Sequence, residues 1–186
     1  MCRYIAGGHS PEFAGRKKET DVFRQVRTEI EGSNAGRAFR VQGPDNQVTF
    51  RNWYIDLVCS NRRERIAIEG KYKLRRDGAV PDNRKAAFRD LYKLEQYVSS
   101  GEYSQGLFLW LTDNASYVSL ATGDSRNFST HDDRVYQSGT PLSASRSRDA
   151  SMPSPLVLTG SYVFNWQTVL PGSEWQCLVL RVTQAG

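Results

Sequence analysis

Histidine is nearly missing from this chain, with His9 and His131 the two examples in 186 residues. That leaves little material for a zinc centre or a histidine-based nuclease. Cysteine is scarce too. Cys2, Cys59 and Cys177 are odd in number, widely spaced and in no metal-ligand pattern, so a reducing compartment and a cytoplasmic location are expected. No apolar run approaches the roughly 20 residues that a membrane-spanning helix needs, and the opening residues carry no signal-peptide h-region. A glycine-rich phosphate loop, a Ser-His-Asp order and a dinucleotide fingerprint are all missing. What is present is 39% hydrophobic and 24% charged residues, the make-up of an ordinary soluble domain, and the length suits a single one, 1–186.

The net charge is +5, and its distribution says more than its size. From Arg62 to Lys93 there are 11 Lys/Arg and 5 Asp/Glu, a local balance of +6 that leaves the remainder near neutral. Such a segment suits a polyanionic partner, although alone it is equally a solvated charged surface.

Inside that region lies the most informative stretch, YIDLVCSNRRERIAIEGKYKL, Tyr54 to Leu74. Two runs rich in β-branched and aromatic residues flank the polar turn Ser60 to Glu64, as in an antiparallel hairpin. Alternation puts Ile66, Ile68 and Tyr72 on one face of the second run, with Ala67, Glu69, Lys71 and Lys73 on the other. In the first run Ile55, Leu57 and Cys59 share a face, and Asp56 joins Tyr54 and Val58 on the opposite one. If the turn closes around Arg62-Arg63, Asp56 lies across from Glu69, with Cβ atoms roughly 5 Å apart. Two opposed acids repel, and a divalent cation between them would remove the repulsion, since hard cations take carboxylate oxygens.

Asp56, twelve intervening residues and then Glu69-Gly70-Lys71 resemble the D…(D/E)-x-K signature of the PD-(D/E)XK nuclease superfamily; Ile55 stands where proline often precedes the first acid. The resemblance implies a restriction-endonuclease-like α/β (α+β) fold, an αβββαβ core with a mixed sheet flanked by helices, covering roughly residues 16–112. It implies Mg²⁺-dependent hydrolysis of phosphodiester bonds in DNA, with Mn²⁺ as a substitute ion and Asp56, Glu69 and Lys71 as catalytic residues. Asp56 and Glu69 would hold the ion, joined by Glu19 from the first helix and the carbonyl of Gly70, with Glu29 as the fallback helix acid. Lys73, Arg75, Arg76, Lys85, Arg89, Lys93 and Gln96 are the expected nucleic-acid contacts. A restriction or other defence role is the first expectation. A toxin or effector, a repair nuclease, a catalytically inactive binding relative and a structural protein with a chance motif are the others. Cutting both strands at one place needs two active centres, which a homodimer would supply.

Around this centre, residues 1–14 read as a loose arm and Arg16 to Glu31 as a helix, with Val22, Val26 and Ile30 at four-residue spacing. A short run, Ala38 to Val41, sits among turn signals, and Val48 to Asn52 leads into the hairpin. A second helix is expected over Asn83 to Ser99, with Ala87, Leu91, Leu94 and Val98 as its buried stripe and Lys85, Arg89 and Lys93 on another face. Leu107 to Leu111 reads as a buried strand and Tyr117 to Ala121 as one more. Gly123 to Pro155 reads as a long polar loop, and Leu156 to Val182 as two or three strands of a C-terminal β extension, about 115–186.

Overall fold

Helix α1, Glu19–Gly32, buries Val22, Phe23 and Val26 on one face, and the acids of its first turn, Glu19 and Asp21, suit the positive end of the helix dipole. The computed structural model describes residues 19–33, 38–44, 48–50, 53–143, 153–169 and 171–184, so the N-terminal arm and residues 16–18 of the expected helix lie outside the described residues. Strand β1 is Arg40–Gln42, a hairpin joins β2, Val48–Phe50, to β3, Trp53–Ile55, and β4, Leu57–Ser60, turns into β5, Arg65–Lys73. Helix α2, Val80–Ser99, then leads to β6, Gln105–Thr112.

The β4–β5 turn is built by Asn61, whose side-chain oxygen accepts from the backbone N–H groups of Arg63 and Glu64, each at 2.8 Å. It sets Leu57 opposite Ile68 and Ser60 opposite Arg65, the register expected from the pattern. Helix α2 begins three residues before its expected start, because Pro81 is tolerated in a first turn, and it stops at Ser100 and Gly101, the latter at φ +79°. It connects β5 to β6, which pair in parallel, from Ile66 opposite Gln105 to Lys73 opposite Thr112.

The central sheet has the order β1-β4-β5-β6-β12-β11, with β11 at Gln167–Thr168 and β12 at Gln176–Val182. The C-terminal segment is therefore partly a continuation of the central sheet, β12 running antiparallel to β6. On one side of the sheet α1 packs Val22, Phe23 and Val26 against Leu57, Cys59, Ile68 and Tyr72. On the other, α2 packs Ala87, Leu91, Leu94 and Val98 against Val58, Ala67, Phe108 and Trp110. Ile55 belongs to this second cluster and does not share a face with Leu57, because the chain bends at Asp56 between β3 and β4.

Two further expectations are corrected. Tyr117 to Ala121 is not a strand: a 3-10 turn, Ala115–Tyr117, runs into irregular chain that buries Tyr117 and Ala121. The described parts of 123–155 hold a 3-10 turn, Gly123–Phe128, and strands β7, Arg134–Tyr136, and β8, Pro141–Leu142; residues 144–152 lie outside the described residues. Strand β7 pairs with β10, Tyr162–Phe164, and β8 with β9, Leu156–Val157. Of the described apolar residues in this polar sequence, Phe128, Tyr136 and Leu142 point inward and Val135 is exposed. Phe128, Tyr136 and Phe164 surround the Phe88 ring of α2 at centroid distances of 5.6, 6.0 and 5.4 Å.

Candidate active site

Strand β5 outruns β4. Pairing stops at Leu57 and Ile68, so residues 69–73 keep β6 on one side and have an edge without a strand on the other. Backbone N–H groups two residues apart in a strand point to the same edge, and an edge left bare would expose them. Here two carboxylates take the place of the missing strand. Asp56 Oδ2 accepts from the N–H of Gly70 at 2.9 Å, and Glu19 Oε2 accepts from the N–H of Tyr72 at 3.1 Å.

Two glycines make this arrangement possible. Gly43 sits at φ +91°, and a Cβ there would lie 2.3 Å from the carbonyl oxygen of Asp56, so the bend at Asp56 rests directly on the Gly43 backbone. Arg27 of α1 holds that segment through the Gly43 carbonyl at 3.1 Å. At Gly70 an added Cβ would lie 1.8 Å from the ring of Phe23. Glycine between Glu69 and Lys71 is thus what lets α1 approach β5 closely, and with it Glu19 reach the strand edge.

Glu69 and Lys71 point to the other face, under α2. Glu69 is 3% exposed and accepts from the hydroxyl of Tyr97 at 3.0 Å. Lys71 pairs with Asp90 Oδ2, and Lys93 pairs with Asp90 Oδ1 at 3.0 Å. The Tyr97 ring is walled by Phe50 at 5.0 Å and Trp53 at 6.2 Å, which fixes its hydroxyl on Glu69.

The electrostatics follow from three acids and two lysines sharing this space. Burial pushes the Asp56 carboxyl up to about 6; the Gly70 N–H and Lys71 oppose this, while the charges of Asp90 and Glu19 add to it. Burial, then the charges of Asp90 and Asp56, raise Glu69 well above the usual carboxylate range, with Lys93 and Tyr97 pulling the other way. Asp90 behaves oppositely. Burial would raise it, but the ammonium groups of Lys71 and Lys93 hold it below the ordinary value. Burial would likewise depress Lys71, and Asp90 outweighs it, so Lys71 stays charged. Asp56 and Glu69 are therefore two hard oxygen donors whose ionised forms are only partly compensated, a pair that a divalent cation would stabilise. The donor chemistry fits Mg²⁺.

Of the expected site residues, Asp56, Glu69, Gly70 and Lys71 come together. Glu19 reaches the same edge, but it is engaged by Tyr72 and by Lys73 Nζ at 3.1 Å. Among the described residues no three His, Cys, Asp or Glu side chains form a metal-binding group. Glu29 accepts from Gln25 along α1 at 2.9 Å. Of the expected nucleic-acid contacts, Arg75 pairs with Glu174 at 2.8 Å, Arg76 is exposed, Lys85 stands 3.8 Å from Asp82, and Arg89 and Gln96 are half-buried on α2. Lys93 is not a free phosphate-facing cation, because three residues along a helix from Asp90 its ammonium turns inward to that acid.

Asp90 and Tyr97 are the residues the pattern did not single out. Their signal was an acid and a hydroxyl set seven apart within the apolar stripe of α2, where an unpaired charge has no place. Comparison with family models, curated proteins and solved structures found no match. Among the described residues no helix is long and apolar enough to cross a membrane.

Proposed function

We propose that this chain is a metal-dependent nuclease of the PD-(D/E)XK type, hydrolysing phosphodiester bonds in DNA as a restriction or other defence enzyme. The observation that carries the reading is the Asp56 carboxylate seated on the N–H of Gly70, the residue between Glu69 and Lys71. The order α1, β1, β4, β5, α2, β6 supports it, being αβββαβ with the β2–β3 hairpin inserted and with both acidic elements at one end of a mixed sheet.

Asp56 and Glu69 would hold Mg²⁺, and the Gly70 carbonyl, on the same strand edge as its N–H, would offer a third oxygen. When bound, Mg²⁺ would supply an activated water and offset charge on the phosphoryl oxygens. The rest falls to the chain. Tyr97 orients Glu69 by donating to one of its oxygens, leaving the other for the ion. Lys71, kept protonated by Asp90, supplies positive charge where the pentacoordinate phosphorus accumulates negative charge. Arg75, Arg76 and Lys85 flank the site at the ends of β5 and α2 and would track the backbone phosphates.

The test is to incubate the purified chain with plasmid, single-stranded DNA and RNA, each with Mg²⁺, Mn²⁺ or EDTA. Cleavage of DNA that requires the ion is expected, lost in Asp56→Ala and in Glu69→Ala while both remain folded. Cleavage that survives either substitution, or no cleavage of any substrate, would overturn the proposal. Sedimentation of the active species decides whether a homodimer supplies the second centre.

A further inference from the structure

We propose that Asp90 is a positioning residue of this site, whose carboxylate anchors the Lys71 ammonium against the α2 face of the sheet. The inference rests on the nuclease reading for its catalytic meaning, and on geometry for the anchor itself. Asp90 lies mid-helix, 5% exposed, among Ala87, Leu91 and Leu94. Each of its oxygens is ion-paired with a lysine ammonium, Oδ2 with Lys71 and Oδ1 with Lys93 at 3.0 Å. Lysine is a point charge on a four-carbon stem, and without a fixed partner its head samples many positions. With Asp90 on a rigid helix the Lys71 head has one.

The placement follows from the topology. Helix α2 is the return connection between parallel strands, so it crosses the face of β5 in the opposite sense. Asp90 therefore meets Lys71 while Tyr97, two turns further on, meets Glu69, two residues earlier on the strand. One helix face thus sets both motif side chains. Asp56, Glu69, Glu19 and Lys93 also act on this cluster, and among the described residues only Asp90 forms an ion pair with Lys71. A purely structural role would be a poor reason for the acid. Replacing a buried ion pair by apolar residues of similar volume is often neutral or stabilising, so packing alone does not call for charge here.

The test has two arms on the full chain. In the first, lysine acylation followed by mass spectrometry measures how fast Lys71 is labelled in the parent and in Asp90→Asn, and needs no activity. Labelling several-fold faster in the variant is expected. In the second, single-turnover cleavage of plasmid by Asp90→Asn at saturating Mg²⁺ should slow by about 10-fold or more, the scale of a misplaced group, with DNA affinity unchanged. On a Lys71→Ala background Asp90→Asn should slow it no further, since the two act as one unit. Should Asp90→Asn fail to fold, Asp90→Asn/Lys93→Gln keeps the charge balance and carries the same expectations. Unchanged Lys71 labelling, or slowdowns that add, would overturn the anchor. A parent that cuts no nucleic acid would instead refute the nuclease reading and with it the catalytic purpose of Asp90, even with labelling as expected.

Discussion

Gly70→Ala adds one methyl group at the point where helix α1 lies on strand β5. The new Cβ would sit 1.8 Å from Cζ of Phe23, 2.4 Å from Cε1 and 3.0 Å from Cε2. Carbon atoms in contact stand roughly 3.5–4.0 Å apart, so the ring must retreat well over an ångström. Phe23 is 4% exposed and packed among Val22, Val26 and Leu57, which leaves it no free space. Either Phe23 leaves its rotamer or α1 lifts from the sheet, and overpacking of this kind costs about 3 kcal/mol, the upper end of the usual range. For a chain of this size that lowers the melting temperature by about 6–12 °C. Thermal unfolding followed by circular dichroism measures it directly. Phe23→Leu shortens the obstructing ring, so Gly70→Ala should cost little more on that background, with a coupling of about 2 kcal/mol in a double-mutant cycle. Lifting α1 also draws Glu19 from the N–H of Tyr72, so cleavage should fall with stability. A melting temperature within about 2 °C of the parent, or additive effects of the two substitutions, would show that the helix does not rest on this glycine.

Two further predictions concern charge. Asp56 ionises near 6 in the folded chain against an ordinary 3.8, a difference corresponding to about 3 kcal/mol. Because the folded state holds the proton more tightly, this contribution to stability is fully present below pH 3.8 and is lost as the pH rises through 6. Asp56→Asn keeps an oxygen for the Gly70 N–H and sheds the charge, so above pH 6 it should be the more stable protein, by at most about 3 kcal/mol, and the gap should close toward pH 4. Denaturant melts at pH 4 and pH 7.5 check this, and a variant less stable than the parent at both would refute it. In DNA binding, Arg76→Ala and Lys85→Ala should each reduce the log–log salt slope by about 0.9, while Lys93→Ala should leave it unchanged, because its ammonium is spent on Asp90. A slope lowered equally by all three would return Lys93 to the phosphate-facing row.

The hairpin was legible because its signals are local. Asn61 and its polar neighbours make the turn, and strict alternation from Ile66 to Tyr72 leaves one register that buries the apolar side. The stripe of α2 was legible for the same reason. What escaped depends on contacts distant in sequence. Nothing near Gly70 announces that Phe23 will lie on it, and nothing near Ile55 announces the bend that sends its side chain to the opposite cluster from Leu57. Lys93 looked like one step of a basic row because its spacing from Arg89 is helical. Its direction is set by Asp90, which the same spacing also places beside it. The polar composition of 123–155 concealed Phe128, Tyr136 and Leu142, three buried side chains that join the α2 cluster.

These failures share a cause with the candidate site. A sheet built for stability alone would extend β4 past Leu57 and pair all of β5. Here β4 stops short, and carboxylates replace backbone carbonyls as acceptors for Gly70 and Tyr72. Each replacement puts an ionisable group where an ordinary ladder has a neutral one, and burial makes the ionised form of Asp56 costly. Glu69 repeats the pattern on the α2 face, with Tyr97 its hydrogen-bond donor. The energy that holds two destabilised acids side by side comes from the apolar clusters on both faces of the sheet and from the close seating of α1 at Gly70. That division of labour explains why stability and activity should move apart in Asp56→Asn and fall together in Gly70→Ala. A chance occurrence of the motif on a sheet edge gives no reason for the two substitutions to differ in this way.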